Sequence, residues 1–134
     1  VQTCALPILF YTASGHAWLA SLSDKAALAL VERQGVGAAR DFGPNAPRSR
    51  SELLRYLKRA REHGYAWQIE CSAPGMAAMA ALVRHPEDGR ALGVLSVAGP
   101  SARFGEARMH ELAPMLLAAA QDLSHASQAS ELFR

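Results

Sequence analysis

The residues of this chain best placed to meet a ligand are small ones. Ala13, Ser14 and Gly15 follow Thr12, a residue type suited to cap a helix, so the first turn they open carries N–H groups with almost no side-chain bulk around them. Backbone donors at the positive end of a helix dipole favour an anion, and a carboxylate above all. The same bareness would equally serve close packing against a strand. A further donor is Ser96, inside the apolar run 90–98. With side chains alternating at period two, Leu92, Val94, Ser96 and Ala98 share one face of that run, as Met76, Ala78, Ala80 and Leu82 share one face of the run before it. Large residues gather at one end of this surface and small ones at the other. Such a surface either receives a closely packed helix or leaves a hollow.

The other chemistry-bearing residues form no constellation. His16, His63, His85, His110 and His125 read as lying on helix surfaces, at a helix end and in a turn, with no carboxylate or thiol paired to them at helical or strand spacing. Cys4 and Cys71 are the only cysteines, which gives neither a disulfide framework nor a CxxC metal spacing, and Cys71 reads as a small buried residue. There is no P-loop, no GxGxxG and no GxSxG. The sequence therefore points away from an enzyme and implies no cofactor and no metal.

Three strands are expected between residues 64 and 100, with a hinge at Pro74-Gly75 and a tight turn at Glu87-Asp88-Gly89. Everything around them is helical in pattern. Thr12 or Ala13 opens a helix to about Leu22, and Ser23 caps a second that Gly35 stops near Gln34. Residues 36–48, rich in Gly, Pro, Asn and Arg, read as loop. Ser49 and Glu52 have capping-box spacing for a third helix that ends at Gly64, and its Arg55, Lys58, Arg59 and Arg61 are expected on a solvated outer face. Gly99-Pro100 should break the sheet before a long helix from about Gly105 to beyond Leu123, with Pro114 inside its apolar pattern. The polar residues after Ser124 are expected to fray.

At 134 residues, with 50% hydrophobic and 19% charged residues, the chain suits one domain with one core. A formal net charge of +2, with basic residues scattered, argues against a phosphate-tracking stripe. No apolar run reaches the roughly 20 residues of a membrane span, so no membrane partner is expected and the default location is cytoplasmic. Residues 1–8, Val1-Gln2-Thr3-Cys4-Ala5-Leu6-Pro7-Ile8, look like a translated sequencing adapter and are set apart from fold reasoning. The expected organisation is thus 1–8 as artefact, 9–127 as the domain and 128–134 as a frayed tail.

Four motifs in order carry a family resemblance: Thr12-Ala13-Ser14-Gly15-His16-Ala17-Trp18-Leu19-Ala20, Arg61-Glu62-His63-Gly64-Tyr65-Ala66, Gly75-Met76-Ala77-Ala78-Met79-Ala80-Ala81, and Leu95-Ser96-Val97-Ala98-Gly99-Pro100. Together they resemble the effector-binding domain of IclR-type transcriptional regulators, over about residues 9–127. The resemblance implies an α+β fold of GAF-like or profilin-like kind, an antiparallel sheet flanked by helices, with the first strands missing here. It also implies a small-metabolite effector, DNA binding only through a winged helix-turn-helix domain not present in this chain, and a homodimer or homotetramer. Carried over residue by residue, the family's pocket falls at Ala13, Ser14 and Gly15, at Gln68, at Met76 and Ala78, and at Ser96 and Ala98. Many members have an acidic residue where this chain has Gln68, a cysteine where it has Ala78 and a second serine where it has Ala98. The pocket is accordingly less polar than is usual in the family. Three functions follow for comparison: a sensor of a small organic acid in a bacterial transcription regulator, an assembly module whose hollow is packed shut, and an enzyme on a GAF-like scaffold.

Overall fold

In the computed structural model, residues 8–133 are described; residues 1–7, most of the adapter-like stretch, lie outside them. Helix α1 (Ile8–Tyr11) runs into α2 (Ala13–Ala20), so helical structure begins before the Thr12 cap. Thr12 does two jobs at this junction. Its hydroxyl donates to the Ile8 carbonyl at 2.7 Å and accepts from the Gly15 N–H at 2.9 Å, which satisfies one of the orphan donors of α2. Helix α3 (Asp24–Gln34) has the Ser23 cap and Gly35 end read from sequence.

Helix α4 (Arg50–His63) starts at Ser49, whose hydroxyl accepts from the Glu52 N–H at 3.2 Å. The reciprocal half of the expected capping box is displaced by one residue, because the Glu52 carboxylate takes the Arg48 N–H at 2.6 Å. Gly64 ends the helix at φ +82°, a left-handed value that only glycine adopts without strain.

Strands β1 (Ala66–Ile69), β2 (Met76–Arg84) and β3 (Ala91–Pro100) form an antiparallel sheet in that order, with β2 central. The third strand continues through Gly99 and Pro100, where a break was expected, and Pro100 pairs with Met76 at the end of the ladder. The β2–β3 turn closes with the His85 N–H on the Arg90 carbonyl at 2.8 Å and Gly89 at φ +73°. Helix α5 (Glu106–Ala126) contains Pro114. The polar residues that follow it wind into two short 3₁₀ turns, Ser127–Ala129 and Glu131–Phe133, and the Phe133 carbonyl accepts from Arg90 at 2.6 Å.

The alternation in β2 sorts its side chains onto two layers. Ala77, Met79, Ala81 and Val83 face α5 and join Trp67, Met109, Ala113 and Leu116 in the main core. Each fully buried large apolar side chain there contributes about 1.5–3 kcal/mol. The opposite face is almost pure alanine: Ala66 and Ala80 from the sheet, Ala13 and Ala17 from α2, and Ala60 from α4. A third cluster, with Leu19, Leu53 and Leu57 at its centre, joins α1, α2, α3 and α4 beside the sheet.

Residues 36–48 lack strands, as expected, but are tied down. The Gly43 N–H donates to the Cys71 carbonyl at 2.8 Å and the Asn45 N–H to the Glu70 carbonyl at 3.0 Å, fastening this loop to the β1–β2 connection. A β-carbon on Gly43 would sit 1.9 Å from the Glu70 carbonyl oxygen, so only glycine permits the approach. Cys71 is buried, as read, with its thiol toward the Asn45 carbonyl at 3.1 Å. Burial raises its pKa, which suits packing and not nucleophilicity.

Candidate functional site

Register decides which of the small residues meet. Gln68 pairs with Ala78 and Ala78 with Ala98, so these three form one row across the sheet; Ala66, Ala80 and Ser96 form the next. Directly opposed residues in an antiparallel sheet point the same way. The face read at period two is therefore continuous over all three strands.

Helix α2 lies on that face, but covers it unevenly. Ala80 and Ala66 are buried beneath Ala13 and Ala17, so the row toward Leu82 is closed by close helix packing. Ala78 is half-buried, while Met76, Ser96 and Ala98 are exposed. The small-residue surface thus carries a tightly seated helix at one end, while the sheet around Ala78, Ala98 and Ser96 is left uncovered.

At the start of α2, Ala13 and Gly15 are buried and Ser14 is half-buried. The Ala13 and Ser14 N–H groups have no acceptor within the helix. Gly15 is small for a reason of its own. A β-carbon there would lie 2.3 Å from the Ile8 carbonyl oxygen and 2.5 Å from the Leu9 Cα, so α1 occupies the space its side chain would need.

Gln68 is 3% exposed and is held by a residue that the sequence reading placed on a helix surface. His16 is 1% exposed, one turn into α2, with its Nε2 at 2.8 Å from the Phe10 carbonyl and its Nδ1 at 2.7 Å from the Gln68 Nε2. A carbonyl can only accept, so Nε2 carries the proton and Nδ1 accepts from the Gln68 amide. Burial, which disfavours the imidazolium, lowers the His16 pKa to about 4; the bond to Phe10 opposes this and the Arg59 charge adds to it. The pair links α2 to β1 across 52 residues of sequence. It is a neutral polar latch beside the row Gln68, Ala78, Ala98.

Two further side chains depart from their expected places. Arg59 is half-buried, with its guanidinium 3.9 Å from the Trp67 ring centroid and 4.8 Å from that of Tyr56. Arg61 turns back to the α2–α3 junction, donating to the Ala20 and Leu22 carbonyls at 3.0 and 2.9 Å and to Asp24 at 2.7 Å. His110 and Glu106 stand four residues apart on α5, with Nε2 and Oε1 separated by 3.4 Å, a helical pairing that the sequence reading did not find; the other ring nitrogen meets the Tyr65 hydroxyl. No group of three or more His, Cys, Asp or Glu residues is gathered for a metal among the described residues.

The family described as "Bacterial transcriptional regulator IclR C-terminal" matches residues 5–125. The chain belongs to this family. Its members are transcriptional regulators and not enzymes, and their GAF-like α+β fold is the one seen here. Among curated proteins, the acetate operon repressor of Salmonella typhimurium is 28% identical over 111 residues, covering 83% of this chain and 39% of that protein. The HTH-type transcriptional repressor AllR of Salmonella typhi is 29% identical over 131 residues, covering 94% of this chain and 46% of that protein. The IclR-type chain in hand thus spans less than half the length of the curated relatives it matches. Among solved structures, the C-terminal domain of the Escherichia coli regulator KdgR superposes with a TM-score of 0.69 at 28% identity, over 87% of this chain and 69% of that one. The inducer-binding domain of PobR from Acinetobacter, a double mutant in complex with 3-hydroxybenzoic acid, gives a TM-score of 0.76 at 20% identity over 87% of this chain and 65% of that one, which speaks for the fold. No helix among the described residues is long and apolar enough to cross a membrane.

Proposed function

We infer that this IclR-type domain senses a small monocarboxylate with an apolar or aromatic remainder, on behalf of a cytoplasmic, homo-oligomeric transcription regulator that reaches DNA through a winged helix-turn-helix domain elsewhere in the protein. The observation that carries the reading is the cross-strand row Gln68, Ala78, Ala98, open at its Ala98 end and adjoined by Ser96, on the sheet face that receives α2. The carboxylate would take the Ala13 and Ser14 N–H groups, with Gly15 behind them, at the positive end of α2. Ser96 would donate from the sheet, and Met76, Ala78 and Ala98 would flank the apolar body. The row offers no arginine or lysine for a second carboxylate. The aromatic acid bound by PobR belongs to the same chemical class.

Such an acid would act by binding one arrangement of α2 against the sheet better than another. A thermal-shift screen of small carboxylic acids on the 134-residue chain tests this. At about 100 times the dissociation constant, a binding acid adds roughly 2.7 kcal/mol, and Ser96→Ala should weaken it about ten- to a hundredfold, the worth of one hydrogen bond to a charged group. If no acid shifts the midpoint and Ala78→Phe proves strongly destabilising, the face is packed core and assembly is its role.

A further inference from the structure

On the other side of β1 lies a cleft of about 560 Å3, lined by Arg48, Glu52, Arg55, Tyr56, Arg59 and Trp67, with Glu106 at the start of α5 closing one end. Its volume falls within the roughly 300–1,000 Å3 of small-molecule sites. Its centre is Arg59. The guanidinium is stacked between two aromatic rings and spends one donor, Nη2, on the Trp67 carbonyl. Among the described residues it makes no ion-pair contact, and the one carboxylate charge acting on it is that of Glu106, from the end of the cleft. A half-buried cation with no anion in contact is costly, because removal from water is repaid in full only when a counter-charge replaces hydration. Burial lowers the Arg59 pKa, which expresses the same cost. The indole Nε1 of Trp67 is a buried donor with no acceptor.

We propose that this cleft is a binding site for a small monocarboxylate with a flat apolar body, its carboxylate on the Arg59 guanidinium and its body against Tyr56 and Ile69. The geometry of a guanidinium suits a planar two-oxygen acceptor. The charge count selects a monoanion: Arg48, Arg55 and Arg59 face Glu52 and Glu106, which leaves a net of one positive charge for a ligand to neutralise. This site shares no residue with the α2 face described above, and the two stand or fall separately.

Trp67 is its own reporter. The chain has two tryptophans, so Trp18→Phe leaves Trp67 alone in the cleft. Titrating this variant with benzoate should change Trp67 emission saturably, while benzyl alcohol, neutral and of similar shape, should bind at least about tenfold more weakly, and inorganic phosphate should compete poorly. Adding Arg59→Gln should weaken benzoate about ten- to a hundredfold, and adding Ser96→Ala should leave the titration unchanged. Should Arg59→Gln not fold, Glu52→Gln and Glu106→Gln carry the test, since removing either rim carboxylate should tighten benzoate binding severalfold. Emission that does not saturate, equal response to benzyl alcohol, or indifference to these charge changes would overturn the proposal.

Discussion

Acidification from pH 7 to pH 4 should remove a large share of the stability of this domain through His16 alone. The ring is neutral and buried, with Nε2–H on the Phe10 carbonyl and Nδ1 taking the Gln68 amide proton. Protonating Nδ1 would set two donors against each other in a dry site. Because the pKa falls from 6.5 to about 4 in the folded state, the unfolded chain binds the proton more readily. The contribution of this group is therefore complete above about pH 6.5, declines as pH drops from 6.5 toward 4, and changes no further below that. At about 1.4 kcal/mol per pKa unit, the loss amounts to roughly 3 kcal/mol, against a total of about 5–15 kcal/mol for a domain of ordinary stability. Rotation of the Gln68 amide to present Oε1 would shelter the added proton, so this figure is an upper one. Urea unfolding at pH 7.5, 6, 5 and 4, followed for the natural chain and for His16→Gln, gives the measurement. The natural chain should be the more stable at pH 7.5, and the gap should close by pH 4. Carboxylates titrate in both and cancel in the difference. Two curves that stay parallel across the range would refute the assignment of a neutral, buried His16.

Other expectations follow from single contacts. Gln68→Glu places a carboxylate beside His16, which should raise its pKa toward 6.5 and so shrink the acid-induced loss and end it at higher pH; an NMR titration of the ring carbons reads this directly. Gly43→Ala should cost about 2–4 kcal/mol, the range of an overpacked site plus a strained hydrogen bond, since its β-carbon meets the Glu70 carbonyl, whereas Gly93→Ala, with nothing within 4 Å, should be neutral or slightly stabilising; equal midpoints for the two would remove the argument. The chain alone should show no salt-sensitive binding to duplex DNA at sub-micromolar concentration in an anisotropy assay, because its formal charge is only +2.

How much of this was legible depended on range. Thr12, Ser23, Ser49, Gly35 and Gly64 act within a turn of their own position, so caps and stops follow from local chemistry. Strand alternation is equally local, and it assigned Ala78, Ala80, Ser96 and Ala98 to one face, as the register has it. What the sequence did not disclose is which partners arrive from far along the chain. Arg59 sits among Arg55, Lys58 and Arg61 on a helix that reads as solvated, and only the approach of Trp67 from β1 turns it inward. His16 finds Gln68 across a gap that no spacing rule spans. The bareness of Gly15 was visible while its neighbour, the Ile8 carbonyl, was not. Gly43 likewise gave no sign of its role, because it is held by its own N–H on the Cys71 carbonyl, and a backbone group carries no residue-specific signal.

The contact between α2 and the sheet, made by Ala13, Ala17, Ala66 and Ala80 with Ala60 beside them, has a mechanical meaning. Alanine has no χ angle, so this interface contains no knobs that must change rotamer before the helix can travel, and sliding it by a fraction of an ångström trades one set of methyl contacts for another. It behaves as a bearing. What fixes α2 in place are fasteners elsewhere on the helix, the His16–Gln68 bond in its first half, and in its last turn Leu19 in the leucine cluster with the Arg61 clamp on the Ala20 and Leu22 carbonyls. A helix so mounted resists motion at its bolts and not along its length, and its position can be reset by whatever loosens one of them.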